Sequence, residues 1–371
     1  MILLFIVILL FILYSILIIY YWRSWNSVPD FILPDKTPTA TISVIIPARN
    51  ERENIGRLLQ ALQEQSYPEY FFEVIVVDDH STDDTAGIVK QFSTVKLMQL
   101  KETGINSYKK KAIEVGIAAA TGDVIITTDA DCVPSADWLK LIAAFKEEKN
   151  AVFVAAPVAI ENNSSILQIF QALDFLTLQG ITAAAVYKRF HNMCNGANLA
   201  YEKKAFYKVN GFAGIDKIAS GDDLLLMNKI AEQYPEKIFY LKSKDAVVST
   251  KPMKTWKEFF YQRIRWASKA PGYKDKRIIF ALLLVYFFNL SFLGLLFAGW
   301  WLPVLWIWIL VLLLLKTIIE FSFVWSVARF FNKEKLMWVF PLFQPLHILY
   351  TIAAGFAGSF GSYEWKGRKV K

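Results

Sequence analysis

Four short stretches carry residue types that could do chemistry. In "TTDADC", Asp129 and Asp131 stand one residue apart at the end of the apolar run "DVIITT". In a strand, side chains two apart project to the same side, so these two carboxylates would repel unless something positive sat between them. Hard oxygen ligands suit Mg²⁺ or Mn²⁺, and Mg²⁺ takes few protein carboxylates, filling its shell with water and substrate phosphates. The pair therefore suggests a metal–diphosphate substrate. An isolated D-x-D is short and common, and reads equally as Asp131 capping the next turn beside an exposed Asp129. In "SGDD", Asp222 and Asp223 precede the helical run "DLLLMNKIAEQY", where both can cap the helix. In "QRIRW", Gln262, Arg265 and Trp266 fall at i, i+3 and i+4, one face of a helix. An arginine there can pair with phosphate oxygens, and the tryptophan offers a flat face to a sugar or lipid. The fourth stretch is Asp78-Asp79, closing "FEVIVVDD".

The elements that must position these groups alternate. "TISVIIPA", "FEVIVVDD", "VKLMQL" and "DVIITTDAD" read as strands, the first a β-branched run suited to burial on both faces. Helices are expected over "NERENIGRLLQALQEQSYP", over "STDDTAGIVKQF" behind a Ser or Thr cap, over "YKKKAIEVGIAAATG", and over "SADWLKLIAAFKE". Such alternation implies a parallel, doubly wound α/β sheet that binds ligands at the carboxyl ends of its strands. Pro47–Glu51, Asp78-Asp79 and Asp129–Asp131 all fall there. Neither a G-x-G-x-x-G after the first strand nor a G-x-x-x-x-G-K-[ST] is present.

Of the 371 residues, 55% are hydrophobic, and the apolar excess is concentrated at the two ends. Residues 1–22 are apolar without a charge, long enough for an uncleaved membrane anchor. Residues 278–360 read as two spans meeting at Pro303, plus a third segment broken by Pro341 and Pro345 and expected to be re-entrant or interfacial. Residues 251–277 hold nine Lys or Arg against Glu258 and Asp275, which places the large domain in the cytoplasm by the positive-inside rule. Trp256, Phe259, Phe260 and Ile264 form an apolar stripe there, suggesting a helix lying on an anionic membrane. The basic tail, 361–371, falls on the far side if all three segments span. Cys132 and Cys194 are too few for a disulfide framework and suit a reducing compartment.

Taken together, "SVIIPARNE", "EVIVVDDHSTDDT", "GDVIITTDADC", "GANLAY", "SGDD" and "QRIRW" resemble the family 2 glycosyltransferases of GT-A fold, over Ser43–Lys269. The resemblance is to the membrane-embedded branch, with poly-N-acetylglucosamine, chitin, hyaluronan and cellulose synthases and ceramide glucosyltransferases. It implies an inverting transferase over 38–250, using a nucleotide-sugar donor, with UDP expected, and Mg²⁺ or Mn²⁺. By this resemblance Pro47, Ala48, Glu51, Asp78 and Asp79 hold the nucleotide. Lys109 lies where relatives carry a basic residue near it, although Lys110 and Lys111 leave the choice within the run open. Asp129 and Asp131 match the metal-binding pair, with Asp131 the direct ligand. Asp223 matches the general base, and Asp222 stands where relatives have Glu. Gln262, Arg265 and Trp266 match the diphosphate and acceptor motif. Asn195, Gly196 and Asn198 lie on the acceptor side, or are ordinary turn residues. His191 is expected to be exposed or a core partner, and Cys132 to point away from the acids. The partners implied are a lipid or polysaccharide acceptor, the membrane, no nucleic acid, and subunits for export. Transfer to a lipid-linked acceptor is favoured over processive polysaccharide synthesis. A silent nucleotide-binding subunit and a transporter are the readings from other classes.

Overall fold

Valine and isoleucine runs form the interior of a central sheet, and the long apolar stretches form helices that pack mainly on one another. The computed structural model describes residues 2–161, 165–216, 218, 220–269, 272–273, 275–360, 363–365 and 368–370. In chain order the elements are α1 (Ile2–Ser27), β1 (Ile42–Ala48), α2 (Ile55–Gln63), β2 (Phe72–Asp78), α3 (Thr85–Val89), β3 (Val95–Gln99) and α4 (Tyr108–Ala119). Then follow β4 (Val124–Thr127), β5 (Cys132–Val133), α5 (Trp138–Lys149), β6 (Phe153–Ala155), β7 (Val158–Ile160) and α6 (Ile166–Tyr187). The remainder are β8 (Leu199–Glu202), α7 (Lys203–Lys208), α8 (Leu224–Gln233), β9 (Ile238–Tyr240), β10 (Val248–Thr250), α9 (Trp256–Ala267), α10 (Lys276–Gly299), α11 (Val304–Phe330), α12 (Phe340–Phe360), β11 (Tyr363–Trp365) and β12 (Arg368–Val370).

The chain divides into two compact units. One comprises Pro29–Glu161, Asn192–Lys251 and Glu364–Lys371, and holds a seven-stranded sheet in the order β3-β2-β1-β4-β8-β6-β9. β3, β2, β1 and β4 are parallel, as the alternation implies. The all-parallel expectation stops there: β8 runs antiparallel to both β4 and β6. A second sheet, β5-β10-β7, lies in the same unit. Ile45, Val76, Ile126 and Ile142 are fully buried in the core. The helix expected behind a Ser or Thr cap shortens to α3, and the carboxylate of Asp83 instead receives the Thr85 amide at 3.0 Å.

The other unit comprises Met1–Val28, Asn162–His191 and Pro252–Tyr363. It thus takes α6 out of the middle of the stretch expected to be one domain over 38–250. Among the described residues five helices, α1, α6, α10, α11 and residues 340–358 of α12, are long and apolar enough to cross a membrane. The expected break at Pro341 and Pro345 is corrected: α12 is continuous. Pro341 lies in the first turn, where backbone N–H groups have no helical partner, and Pro345 forfeits one hydrogen bond. The lipid-facing stripe expected on α9 is also corrected at Phe259. That ring is fully buried, 5.6 Å from Phe170 of α6 and 5.5 Å from Tyr350 of α12. Of the basic tail 361–371, only the backbone of β11 and β12 is described.

Candidate active site

The site is built where β1, β2 and β4 end side by side. Ala48 pairs with Asp78 across β1 and β2, and Ile45 with Thr127 across β1 and β4. The Asp79 amide donates to the Ala48 carbonyl at 2.7 Å. The loops that follow are stitched together. Arg49 donates to the carbonyls of Asp79 and His80 at 2.8 and 3.1 Å, and Asn50 Oδ1 accepts from the Thr82 amide at 2.8 Å. Asn50 and His80 hold φ of 52° and 53°, a left-handed backbone that such fixed contacts can sustain. Glu51, Asp78 and Asp79 are buried. Glu51 accepts from Asn54 Nδ2 at 2.7 Å and Asp79 contacts His80 Nδ1 at 3.0 Å. Asp78 Oδ1 has no hydrogen-bond partner among the described residues. A buried acceptor left unmatched is costly, so this oxygen suits an N–H or hydroxyl donor from a ligand.

Asp129 and Asp131 lie beyond the strand expected to carry them, since β4 stops at Thr127. Side-chain alternation therefore does not align them; they sit in a turn, with the Cys132 amide bonded to the Asp129 carbonyl at 3.1 Å. Asp131 Oδ2 accepts from Thr250 Oγ1 at 3.3 Å, where β10 pairs with β5. Asp129 faces a different partner, the ammonium of Lys109, at 2.7 Å. The same ammonium lies 3.0 Å from Asp222 Oδ2. Burial would lower its pKa, but the charges of Asp129, Asp222 and Asp223 outweigh that and hold it well above the usual lysine value. Lys109 is thus a positive group that Asp129 and Asp222 both face.

Asp223 caps α8, its Oδ1 accepting from the Leu224 amide at 2.7 Å. Gly221 turns the chain into the acids with φ +82°, where a side chain would meet Leu225. A Cβ on Gly196 would stand 3.2 Å from Asp222 Oδ2 and 3.3 Å from Lys109 Nζ, so glycine keeps that face open. Asn195 makes a turn, Oδ1 accepting from the Ala197 amide at 2.9 Å. Asn198 is spent on the interior: its carboxamide bonds Pro157, Ala246 and Trp138 at 2.8–2.9 Å. His191 is a core partner, 2.8 Å from Tyr21. Cys132 is buried, its thiol pushed up by that burial and by Asp131 and Asp129.

The lysine run resolves into three roles. Lys109 joins Asp129 and Asp222, Lys110 is buried against the carbonyls of Ile215, Ile218 and Ser220, and Lys111 pairs at the surface with Glu102 at 3.5 Å. One residue escaped the sequence reading. Tyr201 of β8 is buried with its hydroxyl unpartnered among the described residues. Burial first, then the charge of Asp222, push its phenol up, partly offset by Lys109. Only its place in "GANLAY" hinted at this.

Gln262, Arg265 and Trp266 belong to the other unit, half-buried on α9. Between them Arg263 is buried against Asp174, Nη2 2.6 Å from Oδ2 in an ion pair poorly aligned for a hydrogen bond. It also donates to Gln262 Oε1 at 2.8 Å and stands 4.2 Å from the centroid of the Trp266 ring.

No group of three or more His, Cys, Asp or Glu among the described residues is disposed to hold a metal. The donor set at Asp129 and Asp131 still fits a hard cation, which needs few protein carboxylates when a diphosphate fills its shell.

Comparison with known proteins gives a family match over part of the chain and a likeness of fold. Residues 43–209 match the sequence model of glycosyl transferase family 2. A probable glycosyltransferase of Bacillus subtilis, YdaM, is 30% identical over 270 residues, 68% of this chain and 62% of the relative. The chain thus spans about three fifths of that relative's length. The undecaprenyl-phosphate 4-deoxy-4-formamido-L-arabinose transferase of Pseudomonas savastanoi is 31% identical over 114 residues, 30% of this chain and 34% of that one. Among solved structures, the mannosyltransferase PcManGT of Pyrobaculum calidifontis, in complex with GDP-Man and Mn²⁺, superposes with a TM-score of 0.64. It is 21% identical and covers 96% of this chain and 98% of its own, a likeness of fold.

Proposed function

We propose, from the family 2 glycosyltransferase domain that the chain carries over residues 43–209, that it moves a sugar with inversion from a UDP-sugar to a lipid or lipid-linked acceptor. The reaction takes place at the cytoplasmic face of the membrane. The observation that carries this reading is the bridge made by Lys109. One ammonium joins Asp129 of the D-x-D to Asp222 beside the candidate base, so groups 93 residues apart in the chain share one cluster.

Asp78, Asp79 and Glu51 hold the nucleoside, with Asp78 Oδ1 as an acceptor ready for its N–H or hydroxyl groups. Asp223 takes the proton of the acceptor hydroxyl as that oxygen bonds to the anomeric carbon; the bond to the diphosphate breaks, and the nucleoside diphosphate leaves. Lys109 lies beside that path and meets the charge that grows on the leaving oxygens. Asp131 and Asp129 would hold Mg²⁺ or Mn²⁺, which when bound neutralises diphosphate charge. Arg265 and Trp266 are assigned to diphosphate and acceptor from the resemblance. Likeness to the undecaprenyl-phosphate transferase favours a lipid-linked acceptor, and the five long apolar helices among the described residues favour a membrane enzyme.

The test is nucleoside diphosphate release by the detergent-purified protein. UDP-glucose, UDP-N-acetylglucosamine, UDP-galactose and GDP-mannose are supplied with membrane lipid, with and without Mn²⁺ or Mg²⁺. Metal-dependent release from one donor, lost in Asp223→Asn while donor binding persists, is expected. A labelled lipid product of one added sugar supports the lipid acceptor, and a polymer supports the processive alternative. Tight nucleotide binding without release under any condition would make the chain a silent subunit.

A further inference from the structure

We propose that Lys110 is a positioning residue that sets where Asp222 and Asp223 stand. The inference rests on the transferase reading above, in which those acids work. Lys110 is 2% exposed. Its ammonium donates to the main-chain carbonyls of Ile215 and Ser220 at 2.7 and 2.8 Å, and to that of Ile218. An ammonium has three N–H groups to donate, and three carbonyls lie within hydrogen-bond reach of it. Ser107, one turn earlier, adds hydroxyl contacts to the carbonyls of Asp216 and Ile218 at 2.5 and 2.7 Å.

Ile215, Ile218 and Ser220 lie outside strand and helix; the Ile215 carbonyl also accepts from the Ile218 amide at 3.3 Å, and the side chains of α4 add bonds to all three carbonyls. The stretch leads directly into the acids. Ser220 is followed by Gly221 at φ +82°, then Asp222, then Asp223 at the cap of α8. The start of α4 therefore grips the active acids twice. Lys109 holds the carboxylate of Asp222 directly, and Lys110 holds the backbone two residues ahead of it. The effect of Lys110 on the acids runs through the main chain. A methionine at 110 would keep the apolar stem and remove all three donors, leaving the segment that leads into the acids without these bonds.

The test uses the full chain in detergent with the donor found to be active. Lys110→Met should bind donor with unchanged Kd while kcat falls roughly a hundredfold, the cost of misplacing a reacting group by about 1 Å. In Lys110→Ala, the excised piece corresponds to propylammonium. Adding propylammonium should restore part of kcat, whereas tetramethylammonium, without an N–H, should not. In an Asp223→Asn background, Lys110→Met should cost nothing further, because it acts through the acids. Ser107→Ala, a milder change to the same anchor, should lower kcat in the same direction and guards against misfolding of the lysine variants. Wild-type kcat in both Lys110→Met and Ser107→Ala would overturn the proposal. So would a loss shared equally by kcat, donor affinity and melting temperature, without rescue by propylammonium. A wild-type protein that releases no nucleotide defeats the transferase reading instead. Hydrogen exchange then decides about Lys110 alone: faster exchange over 215–223 in Lys110→Met upholds the anchor, and unchanged exchange refutes it.

Discussion

Lys109 and Lys111 lie two positions apart in one helix, yet their surroundings give them different weights. Lys109 touches two carboxylates in a partly buried cluster, while Lys111 lies 3.5 Å from Glu102 and 3.8 Å from Glu114 at the surface. Charge-assisted bonds in sheltered sites contribute about 1.5–3 kcal/mol, whereas exposed pairs give ~0–1 kcal/mol. Lys109→Met should therefore weaken nucleoside diphosphate binding by roughly tenfold or more. Lys111→Met should leave it unchanged, as titration calorimetry on both variants would show. The metal pair makes a separate prediction. Asp131→Ala should abolish the stimulation of UDP binding by Mn²⁺ while leaving the weaker binding without Mn²⁺ intact. Equal stimulation in wild type and variant would remove Asp131 from the metal.

At the scale of elements, one carboxylate pins the turn that leads into β4. Glu73 Oε1 on β2 accepts from Ser43 Oγ of β1 at 2.6 Å and Thr121 Oγ1 at 2.7 Å. Burial would raise its pKa, but the bonds from Ser43, Thr121 and Gly122 prevail and lower it below the ordinary 4.5. A folded-state pKa lower than the unfolded one gives stability that is present above the unfolded value and lost as pH falls through the folded one. The wild type should thus melt above Glu73→Gln near neutrality, and the gap should shrink below pH 4.5. Thermal melts of both across pH measure it, and a constant gap would refute the linkage. Gly196 works at this scale as well: no larger residue fits between the turn 195–198 and the pair Lys109–Asp222 without moving one of them.

For the molecule as a whole, the unit of long helices encloses ionisable groups in an apolar setting. Lys316 and Glu320 of α11 pair at 2.6 Å, and both meet Gln344 of α12, at 2.6 Å in each case. Tyr14 of α1 donates to Glu320. Three helices are thereby joined by one polar network, and each member is costly to strand. Glu320→Ala leaves the Lys316 cation buried without its carboxylate, a loss of about 3–5 kcal/mol. Its melting temperature in detergent should fall well below that of the double variant Lys316→Met, Glu320→Leu, which removes both charges. Equal melting of the two would show that the pair carries no such penalty.

The sequence by itself determined the strands with their β-branched runs, the long apolar helices, and the clustering of acids at strand ends. These are local properties, because periodicity and hydropathy are written in neighbouring residues. Tertiary structure alone decided the rest. The antiparallel β8 follows from pairing between distant segments, which no local pattern records. Helix α6 is obscured in the sequence because Gln171, Asp174, Gln179 and Thr182 interrupt its apolar run; they are buried, and their partners offset that cost, Gln171 bonding the Met253 main chain and Asp174 meeting Tyr350 and Arg263. Asp129 and Asp131 looked like strand neighbours with one partner, but the strand ends before them and gives each its own. Which of three consecutive lysines serves the acids depended on the turn of α4 and on a loop some 105 residues further along. Spacing within the run could not distinguish them, since all three carry the same charge and differ only in the direction that the folded helix gives them.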